Sequence, residues 1–103
     1  MNELKDHLVK ARSYIERGWT QNEYARDAEG ECVFAYDPTA VCWCVRGAFR
    51  AVDGEWPQSV ESDRGAFLLA EVGHIDSLTN WNDSLSRTQQ DVLDLFDKAI
   101  SVA

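Results

Sequence analysis

Two histidines with nearby aspartates are the side chains best suited to acid–base chemistry in this sequence. His74 lies two residues before Asp76, and His7 directly follows Asp6. Acid–base catalysis needs a group that titrates near neutrality and a partner within hydrogen-bonding reach. Both histidines are expected near helix ends, where a histidine usually lies at the surface or caps the helix. We therefore assign no catalytic residue from the sequence.

Tryptophans beside amide and carboxylate groups form a second chemical pattern. Trp81-Asn82-Asp83 places an aromatic ring next to hydrogen-bonding groups, an arrangement able to frame a small polar ligand. The same trio also anchors loops, with the tryptophan packed inside while the two polar residues cap a turn. Both alternatives apply to Trp19-Thr20-Gln21 as well. The pocket hypothesis brings six residues together: Trp19, Arg26, Trp43, Trp81, Asn82 and Asp83.

The three cysteines, Cys32, Cys42 and Cys44, argue against a disulfide framework because their number is odd. On a helix, Cys42 and Cys44 point about 200° apart and are unable to share a metal or bridge each other. A zinc site would need Cys32 to approach one of them together with a histidine. We expect reduced, mostly buried thiols and neither a metal nor a cofactor.

Acidic side chains are concentrated in the second half of the chain. The formal net charge is −8; residues 1–52 carry seven Lys/Arg and eight Asp/Glu, whereas residues 53–103 carry three and ten. Nucleic-acid binding needs clustered Lys and Arg, so no direct nucleic-acid partner is expected. A basic protein surface is the better match, and Asp91, Asp94 and Asp97 form the predicted partner-binding stripe on the last helix. The alternative is that the negative charge only keeps a small domain soluble.

No apolar run approaches the roughly 20 residues that cross a membrane. The N-terminus lacks the basic-then-apolar layout of a signal peptide. We therefore expect a cytoplasmic protein without a membrane partner. With 103 residues, 45% hydrophobic content and no long linker, the chain predicts one domain, residues 1–103, and leaves its oligomeric state open.

Helical spacing of apolar residues predicts four main helices. The first ends at Gly18. The third starts near Ser59 or Ser62, after a loop around Trp56-Pro57, and ends at Gly73. One extra turn is predicted from Ser77 to Trp81, and the fourth helix begins at the capping-box sequence Thr88-Gln89-Gln90-Asp91.

The second helix, about 39–52, is predicted to be the buried centre of the fold. Asp37-Pro38 supplies a helix-start signal, and the residues after it are apolar on nearly every side. Arg46 is the exception and is expected as a surface charge, whereas Gly47-Ala48 indicates the close approach of another helix. Residues 19–36 form either a short hairpin or an ordered loop. The fold class is mainly α, a compact single-domain bundle of about four helices around this central helix.

Several short motifs together resemble an uncharacterised family of small bacterial and phage proteins, classed as a domain of unknown function. They span nearly the whole chain: Gly18-Trp19-Thr20-Gln21, Ala25-Arg26-Asp27, Asp37-Pro38, Cys42-Trp43-Cys44 with Gly47-Ala48, Trp81-Asn82-Asp83, Arg87-Thr88 and Leu95-Phe96-Asp97-Lys98-Ala99-Ile100. The resemblance implies a bacterial or phage origin and a single domain. It implies no activity, cofactor or catalytic residue.

Two functions from different classes follow from these patterns. The first is a small non-enzymatic protein-interaction module that presents its acidic C-terminal half to a basic partner, in a phage or mobile element a basic host protein. The alternative is a small-ligand binder or minor enzyme with a tryptophan-lined polar pocket. Polar residues that converge on a concave pocket favour the alternative, whereas polar residues used on backbone amides beneath a flat surface favour the first.

Overall fold

Five helices and one two-stranded antiparallel sheet make up the part of the chain that the structure describes, residues 2–55 and 57–103. The structure is a computed structural model. The loop that the sequence predicts around Trp56-Pro57 lies partly outside the described residues. The elements in chain order are α1 (Glu3–Arg17), β1 (Ala25–Arg26), β2 (Cys42–Trp43), α2 (Val45–Asp53), α3 (Val60–Gly73), α4 (Leu78–Asn82) and α5 (Gln89–Val102).

The first predicted helix is confirmed as α1. The Asn2 side chain caps it by accepting a hydrogen bond from the backbone N–H three residues further on, at 3.0 Å. Leu8 and Ile15 are fully buried because they recur on one face of the helix. The helix ends at Gly18, where a Cβ atom would lie 2.2 Å from the carbonyl oxygen of Val41. Glycine is therefore needed here for close packing against the chain that leads into β2.

The predicted start of the central helix is wrong, because α2 begins at Val45 with Cys44 as its N-cap. Asp37-Pro38 instead begins a turn, in which Asp37 Oδ1 accepts hydrogen bonds from the Thr39 backbone N–H at 2.8 Å and from its hydroxyl at 2.7 Å. Aspartate followed by proline suits the start of a turn as well as the start of a helix. Residues 42–43 then pair with β1, and this long-range pairing overrides the helical signal.

The 19–36 segment contains strand β1 and, directly after it, a tight turn. Strand β1 pairs with β2, which lies outside the segment. The Gly30 backbone N–H donates to the Asp27 carbonyl at 3.0 Å, and a single bridge joins Arg26 to Cys32. The regular pairing lies between β1 and β2, with Ala25 opposite Trp43 and Arg26 opposite Cys42. Residues 25–27 also pair antiparallel with residues 31–33 across this turn, so the segment contains the short hairpin of one alternative within an otherwise ordered loop.

The cysteines are free thiols, but they are less buried than expected. Cys32 is exposed, Cys42 is partly buried and Cys44 is buried. Cys32 lies at the surface because it follows the turn that projects from β1. Cys42 lies on a strand and Cys44 caps a helix, so the predicted helical arrangement of these two residues does not occur.

The core is shared between α1, which packs against α2, α3, α5 and β2, and α2, which packs against α1, α3, α4 and β2. Val45 is fully buried, and the Phe49 ring lies 5.8 Å from the Phe96 ring of α5. The close approach predicted at Gly47 does occur, but its partner is a loop and not another helix. A Cβ atom at Gly47 would lie 1.9 Å from the carbonyl oxygen of Tyr24. The start of α2 therefore contacts the residues just before β1 directly.

The remaining helices lie where the sequence predicts them. Ser59 caps α3, which ends at Gly73, and an extra turn predicted at 77–81 forms α4. Thr88 starts α5 in a complete capping box with Asp91. Together with α1 and α2, these helices form the mainly α single domain. None of the helices in the described part of the chain is both long and apolar enough to cross a membrane.

Candidate functional site

Asn82 is a buried amide that ties α4 to the chain after α1 and to the start of α2. It is only 1% exposed. Its Oδ1 accepts hydrogen bonds from the Trp19 indole N–H at 2.9 Å and the Val45 backbone N–H at 3.1 Å. Its Nδ2 donates to the Thr20 carbonyl at 3.2 Å and to Asp83 Oδ1 at 2.9 Å. All the hydrogen-bonding positions of the amide are used, so the side chain is fixed.

Gln21 and Asp83 fix the loop before β1 against α4. The Gln21 Nε2 atom donates to the carbonyls of Asn82 at 2.9 Å and Ser84 at 2.7 Å. Asp83 Oδ1 accepts from the Asn22 backbone N–H at 2.8 Å. Asn22 has a φ of 70°, a left-handed conformation that asparagine tolerates better than most residues. The loop is thus held in one conformation beside α4.

A cleft of about 170 Å³ opens beside this network. An engineered protein cavity of about 150 Å³ takes up one benzene molecule, whereas sites for drug-sized ligands and cofactors span roughly 300–1,000 Å³. The cleft therefore has room for a ligand about the size of a free amino acid. We call it the polar cleft, and eight residues line it: Asn22, Glu23, Tyr24, Cys44, Arg46, Thr79, Asn82 and Asp83.

Charges of both signs line the polar cleft without neutralising each other. Arg46 is half-buried in the first turn of α2, and its side chain makes no hydrogen bond or ion pair with any residue in 2–55 or 57–103. Both described hydrogen bonds of the Asp83 side chain go to Oδ1, which leaves Oδ2 available. Glu23 Oε2 accepts a hydrogen bond from the Cys32 thiol at 3.0 Å. The cleft thus offers a guanidinium group and a carboxylate oxygen to a ligand.

The thiols near the polar cleft are held in their neutral form. Burial raises the pKa of Cys44, although its sulfur accepts a hydrogen bond from the Gly47 N–H at 3.2 Å. The hydrogen bond to Glu23 raises the pKa of Cys32. Because the thiolate is the reactive form of cysteine, neither residue is suited to act as a nucleophile near neutral pH.

The structure brings together only part of the six-residue pocket predicted from the sequence. Asn82 and Asp83 line the polar cleft, and Trp19 donates its indole N–H to Asn82 without lining the cleft itself. Trp43 is buried and donates its indole N–H to the Ala35 carbonyl at 2.9 Å.

The other two members of the predicted pocket are used elsewhere. Trp81 is covered by Arg87, whose guanidinium carbon lies 4.0 Å from the ring centroid. Arg26 donates to Thr20 Oγ1 at 3.0 Å and to the Gly30 carbonyl at 3.0 Å, so it stabilises the loop and its turn. No tryptophan is among the residues that line the polar cleft.

The acidic stripe on α5 is partly used in internal contacts. Asp97 accepts two hydrogen bonds from the Arg12 guanidinium of α1, at 2.7 and 3.3 Å. Asp91 completes the capping box with Thr88. Asp94 is exposed, and its only described hydrogen bond is with a neighbouring glutamine. One of the three aspartates is thus left for a partner without cost to the fold.

His7 pairs with residues far away in the sequence rather than with Asp6. Its Nε2 atom lies 2.7 Å from Ser62 Oγ, 3.3 Å from Asp53 Oδ1 and 3.4 Å from Ser59 Oγ. A Ser-His-Asp catalytic triad places the serine and the aspartate on opposite ring nitrogens, whereas here both approach the same nitrogen. Ser62 is also fully buried. The cluster therefore joins α1 to the start of α3 and is not arranged for nucleophilic attack.

His74 lies at the end of α3 and is not part of a catalytic arrangement among the described residues. It follows α3 as its C-cap, with a φ of 53°, and its side chain is exposed. Among the described residues, no group of three or more His, Cys, Asp or Glu side chains is arranged to hold a metal ion.

Arg46 and Tyr24 line the polar cleft but are not predicted as site residues from the sequence. Arg46 is predicted only as a surface charge, although it is the one charged residue in the apolar run 40–49. Tyr24 lies in the 19–36 segment, whose shape depends on pairing with β2 and is therefore not readable from local residues.

Comparisons with known proteins place the chain in a family without assigning it an activity. No curated protein and no solved structure matches it. A family model described as "Family of unknown function (DUF6197)" matches residues 1–102, nearly the full length. The chain belongs to this family of unknown function.

Proposed function

We propose that this protein is a non-enzymatic binding module whose polar cleft holds a small zwitterion of amino-acid size. The observation that carries the proposal is the pairing of an uncommitted guanidinium, Arg46, with the available Oδ2 of Asp83 at one small cleft. Arginine binds a carboxylate through two parallel hydrogen bonds. An ammonium group on the same ligand would donate to Asp83. Ligand volume and ligand charge are thus both specified.

The rigidity of the surrounding network supports binding. Association costs free energy when loops and side chains become ordered, and a preformed site avoids much of that cost. Asn82 is fixed by four hydrogen bonds, and Asp83 is oriented by two. The carboxylate therefore faces the ligand in its bound position before the ligand arrives.

The chemistry of the cleft residues favours binding over catalysis. Its lining includes no histidine, and burial raises the pKa of its one thiol, Cys44. Acid–base or nucleophilic catalysis needs a group whose pKa is tuned toward the operating pH. The proposal is therefore a module that senses or carries its ligand.

Calorimetric titration with the free amino acids tests this proposal. We expect saturable 1:1 binding by at least one of them. Arg46→Gln should weaken it by at least about tenfold, the loss typical of a charged hydrogen-bond pair. Asp83→Asn should weaken it similarly, because it keeps the Oδ1 acceptor for Asn22 and replaces only Oδ2. Arg64→Gln is the control, since Arg64 is an exposed arginine on α3. Absence of binding, or equal binding by all three variants, would overturn the proposal.

A basic protein partner for the acidic half is a second proposal, supported by the exposure of Asp94. Together with Asp91, it lines a shallow groove of about 250 Å³ next to Trp81, where Arg87 and Lys98 also lie, so the support rests on the exposed carboxylate of Asp94. The second half of the chain carries ten Asp/Glu against three Lys/Arg. Complementary charge of this kind mainly accelerates encounter with a partner.

We also propose a bacterial or phage origin and a cytoplasmic location. The motif pattern supports the origin, and the three free cysteines support a reducing compartment. Immunodetection in fractionated cells of the source organism tests the location, with recovery in the cytoplasmic fraction as the expected result.

A further inference from the structure

A larger groove shares Tyr24 with the polar cleft. Its volume is about 470 Å³, within the range of roughly 300–1,000 Å³ that is typical of small-molecule sites. Tyr24 lines both cavities, so they adjoin. We call the larger one the aromatic groove, and its lining residues are Tyr24, Arg50 and the segment 32–37.

Aromatic rings are exposed to an unusual degree in this groove. Phe34 is 68% exposed and Tyr24 is 55% exposed. The rings of Phe34 and Tyr36 are nearly parallel, with an interplanar angle of 3° and centroids 5.3 Å apart. Flat rings that remain in solvent along one groove present surfaces on which another planar group stacks.

The groove also contains a cation that the protein does not neutralise. Arg50 is half-buried in the last turn of α2, and its guanidinium makes no hydrogen bond, ion pair or aromatic stack with any residue of the described ranges. Asp37, the carboxylate that lines the groove, is bound to the backbone and hydroxyl of Thr39, and these hydrogen bonds lower its pKa. On a chain with a net charge of −8, Arg50 lies in this groove without an ion pair to any described residue.

We propose that the aromatic groove binds a planar aromatic anion of mononucleotide size, a ring system that carries a phosphate or carboxylate group. The ring stacks on Phe34 and Tyr24, and the anionic group pairs with Arg50, whose planar guanidinium matches both phosphate and carboxylate oxygens. This inference goes beyond the proposed function, since it concerns another cavity, another cation and another class of ligand.

Titration with nucleoside monophosphates, monitored by calorimetry, tests the inference. The matching uncharged nucleosides, inorganic phosphate and an aromatic carboxylate form the comparison arms. We expect the monophosphates to bind at least about tenfold more tightly than either the nucleoside or phosphate alone, because ring stacking and ion pairing both contribute. Binding of the aromatic carboxylate in place of the monophosphates would identify the carboxylate as the source of the anion.

Matched variants separate the two contributions. Arg50→Gln and Phe34→Ala should each weaken binding by about tenfold. Arg64→Gln and Phe67→Ala are the controls, since both residues are exposed on α3 and Phe67 is 74% exposed. Asp83→Asn alters the polar cleft and should leave this binding unchanged, so failure of the proposed function and failure of this inference are distinguishable.

Several outcomes would overturn the inference. They are the absence of binding by every aromatic anion, equal binding by uncharged nucleosides, and undiminished binding by Arg50→Gln or Phe34→Ala. A glutamate-rich peptide that binds at Phe34 while small aromatic anions do not would assign the groove to an acidic protein segment, and the inference would be wrong. Because Phe34 and Arg50 are not fully buried, their variants are expected to fold, which circular dichroism checks.

Discussion

Asn82 is the residue on which the candidate site most depends. Its replacement by alanine would leave the buried Val45 N–H and the partly buried Trp19 indole N–H without their acceptor. An unpaired buried donor costs about 1–3 kcal/mol. We therefore expect Asn82→Ala to lower the free energy of unfolding by roughly 3–5 kcal/mol, as measured by urea denaturation.

Asn80 provides the matched control for this prediction. It lies on the same helix, but it is exposed, so Asn80→Ala should change the stability by less than about 0.5 kcal/mol. If Asn82→Ala were as stable as Asn80→Ala, the hydrogen-bond network would not hold the loop in place, and the preformed cleft would lose its basis.

At the scale of the element, a helix is predictable where capping residues close to it in sequence mark its start. The prediction fails where pairing with a distant strand determines the backbone conformation. The α5 start is predictable because Thr88 and Asp91 cap each other within one turn. The start of α2 is not, because Asp37-Pro38 suits a turn and a helix alike, and the pairing of Arg26 with Cys42 settles the outcome. The polar cleft is half predictable for the same reason. Asn82 and Asp83 stand out locally, whereas Tyr24 and Arg46 approach each other only in the folded chain.

The close contact between α2 and the loop before β1 predicts that adding one methyl group at Gly47 destabilises the fold. A Cβ atom at Gly47 would lie 1.9 Å from the Tyr24 carbonyl oxygen, so Gly47→Ala must separate the two segments. We expect a loss of more than about 2 kcal/mol in the free energy of unfolding. We also expect weaker ligand binding in the polar cleft, measured by the same titration, because Tyr24 and Arg46 line it from opposite sides of this contact.

Gly30→Ala is the control for this substitution. Gly30 has a φ of 82°, and no atom lies within 4 Å of the place that a Cβ atom would take, so alanine there costs only the conformational penalty of about 1–2 kcal/mol. If the Gly47→Ala protein were no less stable than the Gly30→Ala protein, the loop before β1 would move easily to make room for the methyl group. The polar cleft would then not be rigid.

At the scale of the whole molecule, the acids behind the net charge of −8 differ in how far the fold depends on them. Some acids stabilise the fold: Asp97 pairs with Arg12 between α5 and α1, and Asp91 caps α5. A change at either position would alter stability together with surface charge. Only Asp94 of the predicted stripe isolates the charge from the fold, because its side chain is exposed and its described hydrogen bond stays within α5.

The last prediction therefore concerns Asp94 alone. If the acidic half binds a basic protein, Asp94→Lys should reduce capture of that protein in a low-salt pull-down from the source organism, because like charges slow the encounter. Added salt should reduce capture by the wild type as well, since the screening length shortens from about 10 Å at 0.1 M. Asp6→Lys changes the net charge equally but lies on α1, also exposed. Equal loss in both variants would mean that only total charge matters, and unchanged capture by Asp94→Lys would remove the stripe as a binding surface.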